Sequence, residues 1–157
     1  MSEMSKIVRT LSNILFPFIM IFGLYVIAHG HLTPGGGFQG GAVAASGCIL
    51  LLIAYGSTWA SKKITDKHLT VFESIGALWF IAAAFLGLVM GGIFFLNSLV
   101  GTPVFGNIPP NGPAISDLNT GGVLPFMNFA VGLKVIAGLF AVVLVMAIAS
   151  SVKEWKQ

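Results

Sequence analysis

The chain has 157 residues, of which 56% are hydrophobic and 8% are charged, and its formal net charge is +3 at pH 7. Soluble globular domains carry about 25% charged residues, so this composition excludes that class and indicates an integral membrane protein. The single cysteine, Cys48, excludes an internal disulfide and any metal site that needs several thiolates.

Four long apolar stretches follow one another along the chain. A helix needs about 20 apolar residues to cross a bilayer, so the sequence predicts an all-α membrane protein with four transmembrane helices in a single domain, 1–157. Between them, Ser61 to Thr70 reads as a loop, and Asn97 to Val123 as a long outer connection before the last helix. The predicted spans cover residues 11–28, 34–57, 71–96 and 124–151.

A glycine-rich stretch joins the first two spans: Ala28 to Ser46 reads A-H-G-H-L-T-P-G-G-G-F-Q-G-G-A-V-A-A-S. Threonine followed by proline is a typical helix start, which predicts that the second helix begins at Pro34. At helical spacing the glycines and alanines fall in two neighbouring rows, and small residues let membrane helices approach closely. The residues predicted to pack helices or to form this helix end are Pro34, Gly35, Gly36, Gly37, Phe38, Gly40 and Gly41.

The glycine-rich stretch also admits a second interpretation, in which the end of the helix is left open for an ion, water or proton path. Irregular backbone at membrane depth is tolerated only where protein or water satisfies its polar groups. Two histidines, His29 and His31, flank this end. They are candidates for carrying protons near neutral pH, although histidines at a membrane interface often have no such role.

Basic residues lie on one predicted side of the membrane. Seven of the eight precede the first span, lie between the second and third, or follow the last, and the two connections on the other side have none. Because loops rich in Lys and Arg stay in the cytoplasm, both termini are predicted to be cytoplasmic in the cell membrane. The positive charge is thereby explained as an orientation signal, and no nucleic-acid partner is expected.

The eighth basic residue, Lys134, lies ten residues into the last span. That is about 15 Å from the start of the helix, and an ionisable group at such depth marks a functional site by default. One hypothesis places Lys134 in a proton or ion relay, or makes it tune one electrostatically. The other pairs it with a carboxylate across a subunit interface, where it serves assembly only.

Glu73 is the one carboxylate of this chain near membrane depth. It is a candidate for the ion path, but T-V-F-E from Thr70 also resembles a capping box, with Glu73 in the first turn of its helix. In that position Glu73 would lie about 15 Å or more from Lys134 along the membrane normal. A direct pair is therefore not expected, and a partner for Lys134 is sought in another chain or through water.

No P-loop, HExxH, nucleophile elbow or CxxC motif occurs in the chain, so it has no visible catalytic apparatus, and no cofactor or metal is expected in it. Four spans without a pair of broken-helix repeats are also too few for a complete transporter. The sequence therefore predicts a subunit of a larger complex, and leaves open whether that complex is an enzyme.

The motif H-x-x-x-x-P-G-G-G-F-x-G-G from His29 to Gly41 resembles the MnhB/MrpB subunits of Mrp-type sodium/proton antiporters, and the resemblance extends over most of the chain. It implies a small non-catalytic subunit of a hetero-oligomer in the bilayer, packed beside other membrane subunits of an Mrp-type module. Sodium ions and protons would be the species that the whole complex transports.

The last span departs from many bacterial members of this family, which read F-D-L-G-V-Y-L where this chain has N-F-A-V-G-L-K-V from Asn128. This version is more similar to the homologous subunits of archaeal membrane-bound hydrogenase and sulfane reductase complexes. A subunit of such a redox-driven ion pump is therefore the leading hypothesis. The alternatives are a purely structural subunit, a subunit of a stand-alone Mrp antiporter, and an independent small channel or transporter.

Overall fold

The structure, a computed structural model, describes residues 4–32, 35–100 and 121–154. All regular secondary structure in these ranges is helical, and four of the helices are long and apolar enough to cross a membrane. This confirms the predicted all-α fold with four spans. The helices are α1 (Lys6–Ala28), α2 (Gly37–Tyr55), α3 (Ser57–Lys63), α4 (Asp66–Gly91) and α5 (Leu124–Glu154).

The four long helices are arranged side by side in the order α1, α2, α5, α4. Helices α1 and α2 are antiparallel, α2 and α5 are parallel, and α5 and α4 are antiparallel. We call the end of the bundle where α2 and α5 begin the glycine end, and the opposite end, where α1 and α4 begin, the basic end. At the basic end, α3 and three long helices share an apolar core, formed by Leu52, Ala60, Leu69, Phe140 and Leu144.

The two predicted rows of small residues exist, and each row packs on a different helix. A Cβ atom on Gly40 would lie 2.7 Å from the Gly23 carbonyl oxygen of α1. In the other row, a Cβ atom on Gly37 would collide with the Asn128 carbonyl oxygen of α5, and one on Gly41 would lie 2.9 Å from the Cβ atom of Val135. Helix α2 is therefore held closely on both sides because it lacks side chains there.

The outward faces of the bundle are apolar, as expected for helices in contact with lipid or other subunits. Large side chains on α1 and α4, such as Phe18 and Val89, are mostly exposed. The fully buried side chains, by contrast, are largely alanines. This pattern fits membrane helices, whose interfaces use small residues for close packing.

Helix α2 begins at Gly37, so the predicted start at Pro34 is wrong. Thr33 and Pro34 themselves lie outside the described residues. Gly35 has a φ of 116°, a backbone conformation that side-chain-bearing residues rarely adopt, and it therefore cannot continue a right-handed helix. Gly36 is the N-cap, and its amide donates a hydrogen bond to Gln39 Oε1 at 3.0 Å.

The segment from Ser61 to Thr70, predicted as a loop, is mostly helical. Helix α3 occupies its first part, and α4 begins at Asp66 rather than at Val71. Gly56, with a φ of 84°, turns the chain between α2 and α3. Leu69, within this mostly polar stretch, is buried against Phe140 and Leu144. This contact stabilises the first turns of α4, although the neighbouring residues are polar.

Helix α4 ends at Gly91, five residues before the predicted end at Leu96, because Gly92 adopts the left-handed conformation typical of a helix C-cap. The chain then turns back on its own helix, and Phe95 donates its amide to the Ala84 carbonyl at 3.3 Å. Gly87 makes room for Leu96 of this turn, not for a neighbouring helix. The predicted long connection continues through residues 101–120, which lie outside the described residues.

Candidate functional site

Lys134 lies on the outer side of a groove between α4 and α5. The side chain is exposed in the single chain, within a segment long and apolar enough to span a membrane. The groove has a volume of about 310 Å³. Apart from the lysine it is lined by apolar residues, which are Gly76, Ala77, Phe80, Ile81, Ala130 and Val131.

Gly76 sets the position of Lys134 relative to α4. A Cβ atom on Gly76 would lie 2.7 Å from the Ala130 carbonyl oxygen, 3.0 Å from the Lys134 amide nitrogen and 3.1 Å from the Lys134 Cβ atom. The backbones of α4 and α5 therefore touch at this level, as small residues allow in membrane proteins. The contact holds Lys134 beside the tenth to twelfth residues of α4.

Glu73 is not a capping residue, because α4 begins at Asp66 with Thr65 as its N-cap and Glu73 is the eighth residue of the helix. It precedes Gly76 by three residues, which is about 4.5 Å of helix rise. The predicted separation of about 15 Å or more between Glu73 and Lys134 along the membrane is therefore wrong. Glu73 is half-buried and lies one turn closer to the basic end than the groove does.

Although Glu73 and Lys134 lie one helical turn apart in depth, their side chains leave the helices in opposite directions. The Cα–Cβ bond of a helical residue tilts toward the N-terminus of its helix. In the antiparallel pair, Glu73 therefore leans toward the basic end and Lys134 toward the glycine end. Within the described part of the chain, no ion pair joins the two residues.

Asn128 organises the glycine end. Its side chain lies against two glycines: a Cβ atom on Gly30 would be 2.7 Å from Nδ2, and one on Gly36 would be 2.9 Å from Oδ1. The amide thus occupies the space between the turn after α1 and the start of α2. Its role is local, at the helix start, where it fills the space that the glycines leave open.

His29 and His31 lie at the same end. The ring of His29, the C-cap of α1, stacks on Tyr25 with 4.2 Å between ring centroids. His31 packs against Gly121, just before α5. Burial lowers the pKa of His31, His29 lowers it further by charge repulsion, and a backbone interaction with Ala28 opposes both effects. His31 is therefore biased toward the neutral form.

Asn97 ties the turn after α4 to the start of α5. Its Nδ2 donates to the Gly121 carbonyl oxygen at 2.9 Å, and its Oδ1 accepts from the Val123 amide at 2.7 Å. Gly122 between them has a φ of 60°. One amide side chain thus satisfies two backbone groups, which fixes how α5 begins relative to α4.

The candidate residues form two groups on different faces of α5. Asn128 faces the start of α2 and Gly132 faces Ile27 of α1, whereas Ala130 and Lys134 face α4. Val131 belongs to both, because it lines the lysine groove and also lies against Gly37. The structure therefore places Glu73 one helical turn from the level of Lys134. His31 and the glycine-rich turn form a separate group at the glycine end.

Phe38 and Pro34 complete the predicted set. The side chain of Phe38 is 61% exposed and points away from the bundle, and Pro34 lies outside the described residues. Within residues 4–32, 35–100 and 121–154, no three His, Cys, Asp or Glu side chains gather closely enough to bind a metal ion.

Sequence reasoning missed two residues that shape these sites, Gly76 and Asn97. A lone glycine in a span gives no signal by itself, although Gly76 precedes Phe80 by one turn and a search for small residues facing Lys134 would have included it. Asn97 follows an apolar run at a turn, where asparagine commonly bonds to the backbone.

Comparison with known proteins identifies relatives over nearly the whole chain. An uncharacterised protein of Methanocaldococcus jannaschii is 36% identical over 142 residues, which make up 87% of this chain and 50% of that protein. A Staphylococcus haemolyticus protein named as an antiporter subunit, mnhB2, is 36% identical over 90 residues, which cover 55% of this chain and 64% of that protein. The chain thus spans between half and two thirds of the length of these relatives.

A solved structure has the same fold. One chain in the structure of the membrane-bound sulfane sulfur reductase, an archaeal respiratory membrane complex, superposes with a TM-score of 0.73 at 30% sequence identity, covering 92% of this chain and 59% of that one. The family model described as a domain related to the MnhB subunit of Na⁺/H⁺ antiporters matches residues 7–141. The chain therefore belongs to the MnhB family.

Proposed function

We propose that this chain is a small membrane subunit of an Mrp-type module that exchanges sodium for protons. Membership of the MnhB family and the likeness to a chain of an archaeal respiratory complex support this proposal. The module would belong to a hydrogenase or sulfane reductase complex in the cell membrane, with both termini of this chain in the cytoplasm. Redox chemistry would take place in other subunits.

The observation that carries a role in ion translocation is Lys134. Its charge lies within the span, in a groove whose other lining residues are apolar. Glu73 lies one turn closer to the basic end. A fixed positive charge at membrane depth changes the energy of any cation nearby, because interactions are strong where the dielectric constant is low. Lys134 would therefore take part in the ion path or tune it.

A purely structural role is the second candidate, and the glycine rows favour it. All four long helices of the bundle meet through backbone contacts at Gly37, Gly40 and Gly76, so the chain is built for tight packing. In this alternative, Lys134 holds a neighbouring subunit and does not influence ion movement. If the chain is instead a subunit of a stand-alone Mrp antiporter, the same two roles, ion translocation and assembly, apply to it.

Purification of the complex from native membranes through an affinity tag on this chain tests the proposed assembly. We expect other antiporter-type membrane subunits to copurify, and the reconstituted complex to exchange sodium for protons. The chain reconstituted alone should carry no ion flux. Flux from the chain alone would instead show an independent channel or transporter, and recovery of the chain without membrane partners would contradict the proposal.

A further inference from the structure

The groove between α4 and α5 combines two features. It carries an exposed lysine, and its floor is made of small residues, Gly76, Ala77 and Ala130. Small residues leave a groove in which another helix can pack closely. The lysine gives that surface one positive charge.

Lys134 has no route to water along its own helix. It lies ten residues from the start of α5 at Leu124, about 15 Å by helix rise, which is further than a lysine side chain extends. Toward the other end of α5 the distance is twice as long. Charged residues within membrane spans face protein or a water-filled cavity rather than lipid, so the side of the groove that is open in the single chain must face another chain or a protein-enclosed water cavity in the assembled protein.

Glu73 does not supply the counter-charge in this arrangement. The two side chains diverge, since they point toward opposite ends of an antiparallel pair. The lining of the groove agrees with this direction, because Phe80 and Ile81, beyond Gly76 along α4, line it together with Lys134, whereas Glu73 does not. Among the described residues, the groove that contains Lys134 is therefore a docking surface with no carboxylate in its lining.

We propose that a transmembrane helix of another subunit occupies this groove and presents an aspartate or glutamate to Lys134. The inference rests on the proposed function as a subunit, and adds the chemistry of the neighbour. Charge complementarity selects a carboxylate, and the glycine and alanine floor selects a helix that approaches closely. Such a pair is stable in the membrane only when both charges are present or both are absent, because removing one leaves the other buried and unpaired.

A photoreactive residue at Ile81 in the intact complex tests the occupant. Ile81 lines the groove and is half-exposed. We expect it to crosslink to one apolar segment of another subunit, with an Asp or Glu within one turn of the attached residue. The matched control places the same probe at Phe18, an exposed residue of α1, which should not capture that segment. Capture of lipid, of a second copy of this chain, or of a helix without a carboxylate overturns the inference.

Neutralisation of the pair gives the second readout. Lys134→Met alone, and the carboxylate of the captured helix changed to its amide alone, should each lower the amount of intact complex on a native gel several-fold. The double variant should recover most of it. Single losses that simply add in the double variant overturn the inference. Neither result depends on ion flux, so the groove inference can fail while sodium/proton exchange by the complex, and hence the proposed function, stands.

Discussion

Gly76 of α4 lies directly against the backbone of Lys134 in α5, and a Cβ atom at Gly76 would approach the lysine amide nitrogen to 3.0 Å. The absence of one side chain therefore determines the depth at which the charge of Lys134 stands relative to α4. It also brings Glu73 within one turn of that depth. The relative depth of Lys134 and Glu73 in the bundle is thus a consequence of helix packing.

Gly76→Ala should separate α4 from α5. The added methyl group would also lie 2.7 Å from the Ala130 carbonyl oxygen, and backbone atoms cannot rotate away. We expect a loss of about 1–3 kcal/mol, typical of overpacking, measured as a lower temperature at which the chain aggregates in heated, solubilised membranes. Gly138→Ala on α5 is the control, because nothing lies within 4 Å of its added methyl group. Equal behaviour of the two variants would contradict the contact.

Gly37→Ala should weaken the packing of α2 on α5, since the methyl group would collide with the Asn128 carbonyl oxygen. The same substitution at Gly47 of α2 would meet side chains rather than backbone: its nearest atoms are Ile19 Cγ2 at 3.1 Å, Ile19 Cβ at 3.5 Å and Phe16 Cδ2 at 3.6 Å. We expect Gly37→Ala to cost about 1–3 kcal/mol and Gly47→Ala to be close to neutral in the same heating assay. A larger loss at Gly47 would show that the row facing α5 is assigned wrongly.

Asn97→Asp should loosen the start of α5. Aspartate keeps an acceptor for the Val123 amide but replaces the donor to the Gly121 carbonyl with a second oxygen. An unsatisfied or repelled buried group costs about 1–3 kcal/mol. Thermal aggregation of the variant reports this loss. Unchanged stability at position 97 would mean that the amide does not hold α5.

Acidification should destabilise the glycine end through His31. Burial lowers the pKa of His31 in the folded chain below the ordinary histidine value of 6.5, so the unfolded chain binds a proton first as the pH falls. The stabilising contribution of neutral His31 is complete above about pH 6.5 and is lost as the pH falls through the lowered folded pKa. Melting measured from about pH 7.5 to 5 should show this loss.

His31→Gln should flatten that part of the pH dependence, because glutamine does not titrate. His68→Gln, at an exposed position of α4, is the matched control and should leave the profile unchanged. A profile that His31→Gln does not alter would assign the acid sensitivity to another group.

The number and type of the spans followed from composition, because long apolar segments in a bilayer have few alternatives to helices. The spacing of the small residues predicted two rows on α2, but not that Gly40 faces α1 while Gly37 faces α5. A helical period identifies a face without identifying its neighbour. That choice depends on the packing of the whole bundle.

The errors have a common cause, since each concerns a boundary set by tertiary contacts or by a single backbone conformation. Leu69, buried in the core at the basic end, extends α4 through residues that look like a loop. Gly35 adopts a conformation that delays the start of α2. The depth of Glu73 was misjudged because it was counted from a helix start five residues too late.

Sodium and proton flux in vesicles that carry the complex with Lys134→Ala tests the central claim most directly, when the flux is expressed per intact complex as quantified on a native gel. Lys134→Arg, which retains the charge, is the control. We expect the alanine variant to lose most of its coupled flux and the arginine variant to retain much of it. Normal flux in an intact Lys134→Ala complex would contradict a role of this lysine in ion translocation and leave it as an anchor between subunits.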